Sequence, residues 1–226
     1  YAATRGGGPR PQEPPGACAA LAQRLRAFAG RLSAEALRRG GAAPAGLFRM
    51  KNRSGLFPIL AMSSRIIFLD TETTGLSPAC GDRVIDIAAL EVDRNFSPVR
   101  VFHEYLDPGR SVGRSVKVHG LTDEFLRGRK TFRDIADDFA AFVRGATVYA
   151  HNMPFDRRFI NAELSRCGRP PLESLAEPVD TLAWARAKVA GRAGLDRLLS
   201  LCEIDPGSRL ERHGALVDAE LLLQVF

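Results

Sequence analysis

The feature that most constrains this chain is an apolar strand that runs into two acids. It reads Ile66-Ile67-Phe68-Leu69-Asp70-Thr71-Glu72-Thr73-Thr74-Gly75-Leu76. Four apolar residues in a row fit a buried strand. Side chains of a strand alternate between faces, so Asp70 and Glu72 point the same way. Two like charges there repel each other and resist leaving water. A compensating charge is required. A divalent metal supplies it most simply, because hard cations prefer carboxylate oxygens and tolerate several together. The competing reading is a pair of solvated carboxylates at a frayed strand end, since exposed acids are common.

Charge alone does not name a partner. The sequence pI is about 9.5, but the excess is local. Residues 1–65 hold 11 Lys/Arg and 2 Asp/Glu, a net of +9; residues 66–226 hold 21 and 24, a net of −3. The basic character belongs to the N-terminal segment, so it says little about what the folded part binds. Apolar residues make up 45% of the 226, enough for a sizeable core. The apolar runs fall far short of the roughly 20 residues that span a bilayer, which argues for a soluble protein with no membrane partner. Cys18, Cys80, Cys167 and Cys202 form no zinc-like spacing. Free thiols in a reducing, cytoplasmic setting are expected.

Residues 1–61 read differently from the rest. Gly6-Gly7-Gly8-Pro9 and the prolines at 11, 14 and 15 are loop or disorder composition. Leu21 to Arg39 is rich in Ala, Leu and Arg and could form an amphipathic helix. The favoured reading is a disordered or non-native basic extension, with Met62 opening a domain over 62–226. An Arg-rich transit peptide and a short secretory signal from Met50 are the alternatives.

From Arg65 onward the elements are legible. Strands are expected at Ile66–Leu69, Val84–Val92, Val99–Leu106 and Thr147–Ala150, with a turn at Asn95-Phe96-Ser97-Pro98. Apolar residues at helical spacing predict helices over Thr131–Arg144, Pro154–Cys167, Asp180–Val189, Gly194–Cys202 and Gly214–Phe226. A shorter helix is expected within Leu121–Leu126, with Thr122 as its cap. Strands first, then helices alternating with strands, argue for an α/β fold: a mixed sheet flanked by helices.

Two distant stretches bear on the acid pair. In HNMPFDRRFIN (His151–Asn161), a strand ends near His151 and a helix starts near Pro154, placing Asp156 in its first turn. An ordinary first-turn acid, favoured by the helix dipole, would look the same. In HGALVDAELL (His213–Leu222), Asp218 stands among apolar neighbours, an odd place for an unpartnered charge. His213 precedes that helix, with Gly214 giving it room; a helix-capping imidazole is the plainer reading.

FLDTETTGL, HNMPFDRRFIN and HGALVDAELL resemble, in order and spacing, the three motifs of the DEDDh 3′→5′ exonuclease family. VHGLTDEFL (Val118–Leu126), VDTLAWARAK (Val179–Lys188) and CEIDPGSRLERHGAL (Cys202–Leu216) are similar to members of that family too. The resemblance covers about residues 65–226. It implies a ribonuclease H-like fold with a mixed five-stranded sheet, and two divalent ions, Mg²⁺ or Mn²⁺. Asp70, Glu72 and Asp218 would hold the first ion. Asp70 would bridge to the second, supported by Asp156. His213 would take a proton from the attacking water, which imidazole suits because its pKa lies near working pH. The substrate would be DNA with a free 3′ end, released as nucleoside 5′-monophosphates, in the service of proofreading for a replicative polymerase. Thr73 and Thr74 would lie beside the terminal nucleotide. Leu76 could wedge between the last two bases. Phe155 could pack on a base or sugar, or simply in the core. His119 resembles a substrate-side histidine, with a structural turn histidine as the other reading.

The chain also departs from the family. Asp86 and Ala88 stand where Glu and Gly are common. Gly113-Arg114-Ser115-Val116-Lys117 is basic where an acid is frequent, which puts one contact to the terminal sugar in question and could add phosphate attraction. The segment that would tie a proofreading member of the family to its polymerase would lie beyond Phe226. An exoribonuclease or oligonucleotide-clearing relative is the alternative within the class, since the metal chemistry does not inspect the 2′-OH. A non-catalytic binding module would be marked by a lost acid or histidine, and all five positions are intact.

Overall fold

A computed structural model of the chain describes residues 65–226 apart from 190, 211 and 212. The expected extension over 1–61, the helix within it and the start at Met62 lie outside the described residues.

Five strands form one sheet in the order β3-β2-β1-β4-β5. They are β1 (Ile66–Thr73), β2 (Val84–Val92), β3 (Pro98–Tyr105), β4 (Thr147–Ala150) and β5 (Glu177–Asp180). β1–β2 and β2–β3 are antiparallel, whereas β1–β4 and β4–β5 are parallel. The sheet is therefore mixed, as expected. The helices are α1 (Val116–His119), α2 (Asp123–Leu126), α3 (Phe132–Val143), α4 (Met153–Arg166), α5 (Leu172–Leu175), α6 (Thr181–Lys188), α7 (Leu195–Leu201) and α8 (Ala215–Val225).

β1 is central, which explains its near-continuous apolar run: both faces are covered. Its alternation sorts the two layers. Ile67 and Leu69 join a core with Phe132, Phe139 and Val143 of α3 and with Phe159, Ile160 and Leu164 of α4. Phe68 faces the other way, 5.4 Å from the ring of Phe226 and 5.6 Å from that of Tyr149. That opposite face is covered by α8, which packs on β1 and β2. Phe68, Phe132, Phe139 and Phe159 are fully buried, each contributing about 2–3 kcal/mol relative to an exposed side chain.

The strand expected over Ile66–Leu69 continues four residues further, through both acids to Thr73. Pairing explains this: Asp70, Thr71 and Glu72 lie opposite Ala88, Ile87 and Asp86 of β2, so the ladder bonds outlast the apolar run. The register slips between Glu72 and Thr73, a bulge that ends the pairing and re-aims the chain. β5 was not expected from residue pattern. It is a four-residue edge strand containing Pro178, and proline is tolerated at an edge because one side of the strand needs no donor.

Turn chemistry sets the helix starts. Thr122 caps α2, its Oγ1 accepting from Phe125 N at 3.2 Å. Asn152 takes a left-handed φ of 78° between β4 and α4, a conformation Asn tolerates better than most residues. Asp180 holds the junction, its Oδ1 accepting from the backbone N–H groups of Asn152 (3.1 Å), Met153 (3.3 Å) and Leu182 (3.0 Å). Cys80, Cys167 and Cys202 are free thiols, and no described helix is long and apolar enough to cross a membrane.

Candidate active site

The parallel pair β1–β4 ends at a cleft of about 190 Å³. Its walls include Asp70, Thr71 and Glu72 from β1, His151 and Asn152 after β4, Phe155 and Asp156 from α4, Leu195, Arg209, His213, and Asp218 from α8. Four acids separated by up to 148 positions (218 − 70) thus face one space.

The parity of β1 decides how each acid arrives. Asp70 and Glu72 share the side of Phe68, where α8 brings Asp218. Thr71 faces the α4 side, and its Oγ1 donates to Asp156 Oδ1 at 2.7 Å. Asp156 is 3% exposed and Asp218 is 5% exposed. Glu72, His213 and Asp218 each offer a ligating atom, and these three atoms lie within 4.8 Å of one another. Asp70 and Asp156 line the same cleft outside that tight trio. His213 Nδ1 stands 3.7 Å from Asp218 Oδ2, and its backbone N–H donates to Val118 O at 3.1 Å.

Crowding raises the proton affinity of the acids. Burial lifts Asp70 well above the usual carboxylate range, and the charges of Asp156 and Glu72 push the same way. Glu72 rises to about 8, first through burial and then through the charge of Asp86. Asp156 rises to about 7 through burial, against the opposing bond from Thr71. Arg209 pulls Asp70 and Glu72 back toward the ionised form. Burial lowers the His213 pKa, and the Arg209 charge lowers it further.

Asp218 Oδ2 meets Nη1 of Arg209, but its buried Oδ1 has no hydrogen-bond partner among the described residues. A carboxylate oxygen rarely stays buried and unsatisfied. Oxygen-rich donors with one imidazole, and one oxygen left wanting, suit a hard divalent cation better than a soft one.

Other residues singled out in the sequence fall around this centre. Phe155 does both things considered for it: its ring lies 5.0 Å from that of Phe159, and it lines the cleft. Thr73 and Thr74 are spent on the bulged turn. Thr73 Oγ1 donates to Gly75 O at 2.6 Å, and Thr74 Oγ1 accepts from Arg83 N at 3.0 Å. Leu76, on that turn, is 80% exposed. At Gly75 a Cβ would press on the Asp82 carboxylate, which accepts from Ser77 N in the same turn. Gly214 has no such need: its φ of −162° is extended and a Cβ would meet nothing within 4 Å, so it does not make room for His213. His119 is 3% exposed and does not line the cleft. Its Nε2 bonds Ser115 Oγ at 2.8 Å, and its Nδ1 accepts from Leu121 N at 3.0 Å. Both ring nitrogens are used within the turn.

Three contributors escaped the sequence reading. Thr71 could have been found, because strand parity turns it away from the acids flanking it. Asp86 was visible only as an unusual residue. Its Oδ1 bonds His103 Nε2 at 2.9 Å, and its Oδ2 accepts from Ala215 N at 3.1 Å, so it caps α8 from a strand 129 positions earlier. Arg209 gave no signal; it is one arginine in a polar loop.

The profile of the exonuclease family matches residues 67–226, and the chain belongs to that family. It is an exonuclease with the mixed, helix-flanked sheet of the ribonuclease H-like fold. DNA polymerase III subunit epsilon of Rickettsia typhi (strain ATCC VR-144 / Wilmington) is 41% identical over 168 residues, which cover 73% of each chain. The subunit of the same name from Escherichia coli (strain K12) is 40% identical over 171 residues, covering 72% of this chain and 70% of that one. Exonuclease I in its apo structure shares the fold with a TM-score of 0.61 at 19% identity, over 72% of this chain. Exonuclease I of E. coli with a dT13 oligonucleotide gives 0.60 at 20%, over 71%. This chain spans about two fifths of the length of those exonuclease I structures (41% and 40%). The exonuclease family expected from the three motifs is borne out.

Proposed function

We propose that this chain removes nucleotides one at a time from the 3′ end of DNA and proofreads for a replicative polymerase. The observation that carries this reading is the gathering of Asp70, Glu72, Asp156, Asp218 and His213 around one cleft. The 40–41% identity to polymerase III epsilon subunits supports DNA as substrate and a polymerase subunit as partner. A cytoplasmic location agrees with the free thiols.

Asp70, Glu72 and Asp218 would hold one Mg²⁺ or Mn²⁺, and Asp70 with Asp156 a second. Bound there, two such ions supply the positive charge that stabilises an in-line displacement at phosphorus. Thr71 fixes the Asp156 carboxylate through its hydroxyl. Asp86 fixes the start of α8 and so the placement of Asp218. His213 is the base. Its Nδ1 is turned toward Asp218, which leaves Nε2 to accept the proton of the attacking water. Its lowered pKa keeps the ring neutral, and therefore basic, at neutral pH. Phe155 forms an apolar wall for a base or sugar. Leu76 is the exposed wedge, and Thr73 and Thr74 shape the turn that presents it. His119 fixes the turn whose Val118 carbonyl accepts from His213 N.

The test is a time course on a 3′-mismatched primer with Mg²⁺. Stepwise shortening with release of 5′-monophosphates is expected, and loss of activity in EDTA and in Asp218→Ala, by at least about a hundredfold. Undiminished degradation by Asp218→Ala would refute the assignment. Faster cleavage of a matched RNA oligomer would replace DNA by RNA.

A further inference from the structure

One cation already sits inside the acidic cleft. The Arg209 side chain is 8% exposed and contacts Asp218 Oδ2 through Nη1. Its Nε bonds Asp196 Oδ1 at 2.8 Å, and that Asp196 side chain is 76% exposed. The guanidinium is thus held at one end by a solvated surface acid and at the other by a buried acid of the cleft. Its charge reaches further, favouring the ionised forms of Asp70 and Glu72.

Two physical points follow. Guanidinium is weakly hydrated for a cation, so it enters a half-dry acidic site at lower cost than an ammonium. It also occupies one carboxylate oxygen of Asp218, a member of the tight trio with Glu72 and His213, and a second cation held close beside it is repelled.

We propose that Arg209 is a resident counter-ion: it takes the metal's place at Asp218 in the metal-free chain and yields it when a divalent ion enters. The proposal rests on the reading of the cleft as a metal site. The residue lies on a short 3-10 turn, Gly207–Leu210. Asp196 keeps the released guanidinium tethered at the rim.

The experiment titrates Mn²⁺ into the DNA-free chain by calorimetry, with wild type, Arg209→Ala and Arg209→Gln, and records melting with and without Mn²⁺. Removing the competitor should tighten Mn²⁺ binding about tenfold, equivalent to about 1.4 kcal/mol. It should also lower the melting temperature of the metal-free chain, and saturating Mn²⁺ should close that gap. Arg209→Gln keeps most of the side chain's packing, so it reports on charge if the alanine variant folds poorly. Unchanged or weaker Mn²⁺ binding in a folded variant overturns the proposal and leaves the metal reading standing. Failure of the wild type to bind Mn²⁺ removes both.

Discussion

Metal entry should expel protons, and the structure sets how many. In the metal-free chain Glu72 is raised to about 8 and Asp156 to about 7. At pH 7 Glu72 is then about nine-tenths protonated and Asp156 about half. Carboxylates bind a cation only when ionised, so Mn²⁺ must displace those protons. Together the two groups release about 1.4 protons at pH 7 and about 0.1 at pH 9. The assay is calorimetry of Mn²⁺ binding without DNA, in buffers of different ionisation enthalpy, from pH 6.5 to 9. Affinity should rise steeply with pH near 7 and level off above 8.5. The same shifts fix the sign of stability. These acids are raised in the folded state, so their contribution is full below about pH 4, is lost as pH climbs through 7 and 8, and is restored by Mn²⁺. Release of no protons at pH 7, or a metal-free melting temperature that rises across pH 5–8, would refute the reasoning.

Other expectations follow from single contacts. Thr71→Val removes the hydroxyl that orients Asp156 and should weaken Mn²⁺ binding about tenfold with little loss of folding stability, read by calorimetry and thermal melting. Glu163→Ala breaks a two-pronged pair with Arg83, at 2.6 and 2.9 Å, whose acid is 1% exposed. It should cost about 3 kcal/mol in urea unfolding, and a cost under about 1 kcal/mol would show the pair to be well replaced by water. Leu76→Ala should leave stability within about 0.5 kcal/mol, as at other exposed sites, yet slow removal of a paired 3′ nucleotide more than a frayed one in a primer assay.

How far the sequence led can be judged element by element. β2 and β4 have the bounds expected, because segments rich in apolar and β-branched residues and closed by turn residues describe buried strands well. The ends of β1 and β5 were not legible, since they depend on which strand lies alongside. β1 carries on through its acids because β2 pairs with them, and β5 exists because β4 offers it a parallel edge. The site followed the same divide. Asp70, Glu72, Asp156, Asp218 and His213 are visible through residue type, order and spacing. Thr71 was hidden by a two-residue habit of reading only the charged face of a strand. Arg209 was hidden more deeply: nothing local distinguishes an arginine bound for a cleft from one bound for solvent. Asp86 shows the remaining limit, since a cap donated from 129 residues away leaves no trace at the helix it caps.

The parity of β1 has a consequence for when this protein is able to cut. Asp70 and Glu72 look toward the layer of α8, and Thr71 looks toward the layer of α4. The five groups are thus assembled across a seam, with the sheet edge-on between two separately docked layers. If α8 lifts, Asp218 departs; if α4 shifts, Asp156 departs and Thr71 loses its partner. On the proposed function, hydrolytic competence is therefore a readout of complete folding. A partly docked chain can still resemble the native sheet, yet it holds no assembled site.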